Sequence, residues 1–273
     1  MDRRRKTSSN SLNGAKLRKN ILKSYWEGTI MELSLRKINA LFKKEIKDLG
    51  KNMNVSIMYF LPIIFSVIYS KILGASSSEE GIGKSYILIM CLGMSLTLIT
   101  GFCIAMLIAE EKEKNTLRTL MLSGVSAAEF LAGKALITLL LTEIIDIVIF
   151  FIIGIEVKYL GIYILLTTPV IFTMIELGAV IGILSPNQMS TGVIGMPVLF
   201  VFLMLPIFSR FNKTFETLAG IIPNTHMNTM LEKSLKGEAL GSGDIKRIAI
   251  MIAWIIIGAL IFVFVYKKRG LDK

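Results

Sequence analysis

Three carboxylates stand where ionised groups are costly. Glu143 and Asp146 lie three residues apart, hence on one helix face, in an apolar run that begins near residue 135. Glu176 lies in the inner half of the next run. An ionisable group at hydrocarbon depth points by default to function, and hard carboxylate oxygens would suit a cation. The competing expectation is that these groups are protonated or hydrogen-bonded between helices and steady the bundle. Other chemistries fail on residue types. Asp146 is the only aspartate inside a span, so an intramembrane aspartyl protease would lack its second acid. His226 is the only histidine, which leaves no paired-histidine metal site and no catalytic dyad. Cys91 and Cys103 share one apolar run and have no metal-ligand spacing. Gly83-Lys84-Ser85 ends like a phosphate-binding loop, but the glycine needed five residues earlier is Ser78, and no strand precedes it. The residues therefore assign no catalytic group, no metal and no nucleotide site to this chain.

The elements that would position these groups are membrane spans. The 273 residues are 53% hydrophobic and contain repeated apolar runs of membrane-crossing length. The expected class is an all-α integral membrane protein with six spans, near 54–73, 85–109, 135–154, 161–184, 192–209 and 245–266. Pro62 is expected to kink the first span, and Pro197 and Pro206 to interrupt the fifth. Gly178 and Gly182 form a small-xxx-small pair that lets two helices approach closely. Residues 1–30 read as a basic, flexible extension that can bury no core, with Met31 as an alternative start. In residues 31–50, Leu35, Ile38, Leu41, Phe42, Ile46 and Leu49 alternate with lysine and arginine, the pattern of an amphipathic helix lying in the inner interface. The net charge of +11 fits such flanks better than a nucleic-acid arm. Of the 31 lysines and arginines, 22 fall in the N-terminal region, the 110–134 segment and the tail. Both termini are thus expected in the cytoplasm of a cell membrane, in bacteria. No internal repeat is visible.

Between the second and third runs stands a long polar interruption, EEKEKNTLRTLMLSGVSAAEFLAGK, residues 110–134. A simple reversal of direction needs far fewer residues. Leu117, Leu120, Met121 and Leu122 give a short helix an apolar stripe, which could seat in a cleft of another protein. Gly124 can close that helix in the left-handed conformation. Ser126 with Glu129 three residues on is a capping box for a second short helix, after which the third span starts at Gly133-Lys134.

Glu-Lys-Glu, Thr116-Leu117, Leu120, Val125-Ser126, Glu129 and Gly133-Lys134 together resemble the permease subunit of type-2 ABC exporters (ABC-2 type). The likeness covers residues 31–273, the domain of 51–273 and its interfacial helix, and includes the Ser-Pro-Asn-Gln break at 185–188. The family has Gly before the Thr and often Pro before the Val, where this chain has Asn115 and Gly124. Both are turn-formers in their own right. The resemblance implies that this segment is a coupling helix, with Glu113, Thr116, Leu117, Leu120 and Glu129 docking an ATP-binding subunit. It implies a second permease chain as well, in a homo- or heterodimer. ATP and magnesium would be held by the partner subunit, and this chain would bind no cofactor. The function implied is ATP-driven export of an unidentified substrate. A non-transporting anchor or immunity protein is the alternative, and would have no need of the coupling segment.

Residues 210–244 form the longest outer segment. Phe215, Leu218, Ile221 and Ile222 are expected to make a short helix dipping into the outer leaflet, stopped by Pro223-Asn224, with another helix over 225–236. In the resembling family such re-entrant helices gate the outer exit.

Overall fold

The computed structural model describes residues 34–50, 53–72, 83–209 and 211–269. The chain divides into residues 1–35 and 36–273, and the second unit holds the helical bundle. The expected N-terminal extension (1–30) and most of the first outer loop lie outside the described residues. Every regular element among them is helical.

In chain order these are α1 (Leu35–Leu49), α2 (Met53–Ile72), α3 (Lys84–Glu113), α4 (Thr116–Leu122), α5 (Ala127–Ile153), a 3-10 turn (Val157–Tyr159), α6 (Leu160–Leu184), α7 (Ser190–Phe208), α8 (Lys213–Ala219), α9 (Pro223–Leu235) and α10 (Ser242–Arg269). Six of them, α2, α3, α5, α6, α7 and α10, are long and apolar enough to cross a membrane. The expected spans are therefore present.

α3 and α6 are the inner helices. Their apolar windows are 78% and 61% buried, against 22% for both α2 and α10. α6 touches α3, α5, α7, α9 and α10. Its glycines explain how it gets so close to α3. A Cβ on Gly182 would stand 2.7 Å from the Ala105 carbonyl oxygen, and one on Gly178 would collide with the carbonyl of Gly101. Helices in lipid gain nothing from excluding water, so close backbone packing at small residues supplies the attraction instead. Gly101 belongs to a π-helical stretch, Leu96–Cys103, that no sequence signal announced. It is wider than an α-turn and packs against α2, α5, α6 and α7.

Three expectations change. α5 starts at Ala127, so the second short helix and the third span are one helix of 27 residues. Nothing between Ser126 and Ile153 breaks a helix. Gly133 serves packing there: a Cβ would stand 2.6 Å from the Cβ of Leu41 on α1. α7 runs without interruption through Pro197 and Pro206, because neighbouring groups in a bundle tolerate one missing hydrogen bond per proline. Pro223 opens α9 as well as ending the preceding turn, where its fixed φ suits a first helical position.

Replacing Gly178 or Gly182 by Ala should cost about 1–3 kcal/mol by overpacking. Gly192→Ala, with open space around its Cβ position, should be neutral. Thermal unfolding in mild detergent measures the difference, and equal midpoints for all three variants would reject the glycine contact.

Candidate functional site: the segment between the second and third spans

α3 continues past the apolar run as far as Glu113. Lys114 and Asn115 then reverse the chain, with Asn115 left-handed at φ 57°. Asparagine tolerates that region better than most residues. The Thr116 hydroxyl donates to the Glu111 carbonyl at 3.0 Å and closes the turn. α4 ends in a Schellman motif. The Val125 N–H donates to the Leu120 carbonyl, and the N–H of Gly124 (φ 76°) to that of Met121, both at 3.1 Å. The Ser126–Glu129 capping box then starts α5, with bonds of 3.1 and 2.9 Å.

The short helix faces the opposite way from the simplest expectation. Leu117 is wholly buried, and Leu120 and Met121 pack partly buried against the core. A one-faced helix lying on its own bundle spends its apolar stripe there. The outward face consists of Arg118, Thr119, Ser123 and Leu122, which is 74% exposed.

Beneath α4 is a network of buried charge. Lys134 of α5 is 3% exposed, with Nζ 2.8 Å from Glu45 Oε2 of α1 and 3.5 Å from Glu111 Oε2 of α3. Lys44 of α1 also pairs with Glu111, and reaches Glu45 at 3.4 Å and Asp48 at 3.5 Å. These groups line a cavity of about 320 Å³. Burial opposes ionisation of Glu45, but the Lys134 and Lys44 ammoniums outweigh it and hold its carboxyl below the ordinary 4.5. Burial likewise opposes the charge on Lys44, and Glu111 and Glu45 overcome it, so its ammonium is held above the ordinary range.

Further ties hold the segment on other sides. Lys37 Nζ donates to the Gly124 carbonyl at 2.8 Å and lies 3.4 Å from Glu129 Oε2. Lys112 Nζ donates to the Ile183 carbonyl at 2.7 Å, serving an open acceptor at the end of α6. The Gln188 N–H, in the break between α6 and α7, donates to Glu113 Oε2 at 3.1 Å. Tyr266 of α10 lays its ring 5.5 Å from that of Phe130 and donates to the Val125 carbonyl at 3.4 Å.

Of the residues expected to dock a partner, then, Leu117 and Glu129 are buried, Thr116 and Leu120 are partly buried, and Glu113 is exposed but bonded to Gln188. They lie on one segment, and their partners belong to the chain itself: Thr116 bonds Glu111, Glu129 meets Ser126 and Lys37, and Leu117 and Leu120 pack in the core. Lys134 and Glu45, the centre of the network, carried no sequence signal beyond a charge beside an apolar run.

The intramembrane carboxylates do not gather into one site. Glu143 accepts from the Thr168 hydroxyl of α6 at 2.7 Å. Asp146 is fully buried, and the neighbouring Tyr163 hydroxyl donates to its backbone carbonyl at 2.8 Å. Glu176 lies against Gly258 of α10, where any Cβ would strike its carboxylate. Among the described residues, no three His, Cys, Asp or Glu side chains come together as metal ligands.

Six apolar helices, with an organised charged segment after the second, define a multi-pass helical membrane protein. The chain belongs to the ABC-2 transporters: residues 5–266 match the family described as ABC-2 family transporter protein. It is the permease component of an ABC transporter. The match begins upstream of residue 31, and so extends further towards the N-terminus than the motif resemblance does. No curated protein matches the chain.

Lys134→Met should cost about 3–5 kcal/mol, because Glu45 and Glu111 lose a buried counter-charge. Lys114→Met, which removes only an exposed pair with Glu110, should leave the unfolding midpoint nearly unchanged. Because the Glu45 pKa is lowered on folding, its contribution is present above pH 4.5 and lost as pH falls through the lowered value. Unfolding midpoints from pH 7 to pH 3 should therefore drop for the native chain and drop less for Lys134→Met. Parallel curves would remove Lys134 from that role.

Proposed function

We propose that this chain is the membrane subunit of an ATP-driven exporter, and that α4 docks a separate ATP-binding subunit. The lysine and arginine bias supports a cytoplasmic location for the termini and α4. Two permease chains and two ATPase chains would form the working unit, with ATP and magnesium on the ATPase. The observation that carries this reading is the split character of α4. One face lies against α3 and the core through Leu117, Leu120 and Met121, and the other presents Arg118, Thr119 and a bare Leu122. A helix held in this way passes a push to the spans instead of yielding to it. Docking is thus assigned to the outward face, with Glu113, Thr116, Leu117, Leu120 and Glu129 as positioning residues.

Purification of the tagged chain from its own membrane should bring a soluble ATPase in stoichiometric amount. The pair Arg118→Glu and Leu122→Asp should abolish its capture while leaving the unfolding midpoint unchanged. Leu117→Ala should instead lower stability by about 2–5 kcal/mol. Recovery of the native chain without an ATPase, or undiminished capture by the double variant, would defeat the docking proposal.

For the intramembrane carboxylates, the Glu143–Thr168 bond favours helix linkage over a cation site. Glu143→Gln can still accept from Thr168 and should keep both fold and transport, whereas Glu143→Leu should lower the unfolding midpoint. Cation-dependent transport lost in Glu143→Gln would argue for the cation site.

A further inference from the structure

At the end of the bundle remote from α4 lies a cavity of about 630 Å³, within the range of small-ligand sites. One wall is α9. Thr225, Asn228, Thr229 and Glu232 recur along one face of it, at helical spacing, and all four line the cavity. The opposite face of α9 buries Met227, Met230 and Leu231 in the core. A polar stripe of this kind ordinarily faces water. Here it confronts an apolar wall, made by Tyr86, Ile89 and Met90 of α3 with Pro206 and Ile207 of α7.

The polar wall is rich in acceptors. Thr225 Oγ1 and Asn228 Oδ1 are buried atoms with no hydrogen-bond partner among the described residues. His226 Nε2 meets the Gly220 carbonyl at 2.8 Å, so that nitrogen must carry the hydrogen. Burial, helped by Arg247 and Lys246, holds the His226 pKa below the ordinary 6.5. At neutral pH the ring is therefore uncharged, and its other nitrogen is an acceptor. Arg247 brings a positive charge, but Asp244 is bound to it. Glu232 shares its charge with Lys236 at 3.5 Å. Glu216 of α8, an exposed residue, also lines the cavity and forms no ion pair among the described residues.

We propose that this cavity binds an amphipathic ammonium, a primary or secondary amine joined to an apolar body. The body lies against Met90, Pro206 and Ile207. The N–H groups are shared among Glu216, Asn228 and Thr225. A quaternary cation would satisfy the charge but leave the buried acceptors unpaired, and an anion would meet Glu216 and Glu232. The ammonium could belong to a free amine or to the headgroup of an aminophospholipid. Binding requires no ATPase, so the proposal stands apart from the docking of α4.

The test is equilibrium dialysis of octylammonium against the full chain in phosphatidylcholine nanodiscs, with empty discs subtracted. Octyltrimethylammonium and octanesulfonate, of the same chain length, serve as comparisons. Saturable one-site binding is expected, strongest for octylammonium and absent for octanesulfonate. Glu216→Gln and Asn228→Leu should each weaken it roughly tenfold, at an unchanged unfolding midpoint. Loss of octylammonium binding when phosphatidylethanolamine is added to the discs would assign the site to the lipid headgroup, and undiminished binding would assign it to free amines. No saturable binding, equal binding of octanesulfonate, or full affinity in a folded Glu216→Gln chain would overturn the proposal.

Discussion

A single ammonium, that of Lys134, stands almost out of reach of water between the carboxylates of Glu45 and Glu111. An unpaired charge at such a site costs several kcal/mol, so the lysine is tolerable only while both acids are present. Glu45 comes from the amphipathic helix α1, 89 positions away in the chain, and Glu111 from the end of the second span that leads into α4. The position of each element therefore depends on the other two. Leu41 fitted against Gly133 adds a steric register to the electrostatic one. α4 is suspended between two members of this group, which explains how seven residues can hold a defined orientation.

Inside the bilayer a different constraint takes over. No solvent can satisfy polar groups there, and apolar burial does not drive helices together, so α3 and α6 pack through glycine and backbone contact. Side-chain hydroxyls complete the arrangement: Thr100 bonds Thr142 at 3.1 Å, and Thr168 bonds Glu143. α3 has a part in every region. It lines the remote cavity at Tyr86, touches α6 through its π-helical stretch, and ends at the turn into α4. Its 30 residues span roughly 45 Å at 1.5 Å per residue. α4 and the cavity therefore lie at the two ends of the same rod.

Much of this is legible in one dimension. Span count, the amphipathic helix before the first span, the Gly178/Gly182 contact, the left-handed Gly124 and the Ser126–Glu129 capping box all depend on residues within a few positions of one another or on long apolar runs. Such features survive any tertiary arrangement. The features that are not legible share the opposite property. Gly133-Lys134 reads as a boundary inside the 127–153 helix, yet the glycine exists to admit Leu41 and the lysine to meet Glu45. The π-helical stretch is invisible in the sequence because its cause lies in packing and not in residue type.

Sequence alone determined that this is a six-span helical membrane protein with an ordered segment after the second span, because apolar length and local capping chemistry need no partner. Which face of α4 points outward was decided only in three dimensions. Leu117 and Leu122 are equally apolar, and a stripe of leucines reads the same whether it meets another protein or its own bundle. Burial of Leu117 and exposure of Leu122 result from where Glu111, Glu45 and Lys134 converge, and that convergence brings together residues that the chain keeps far apart.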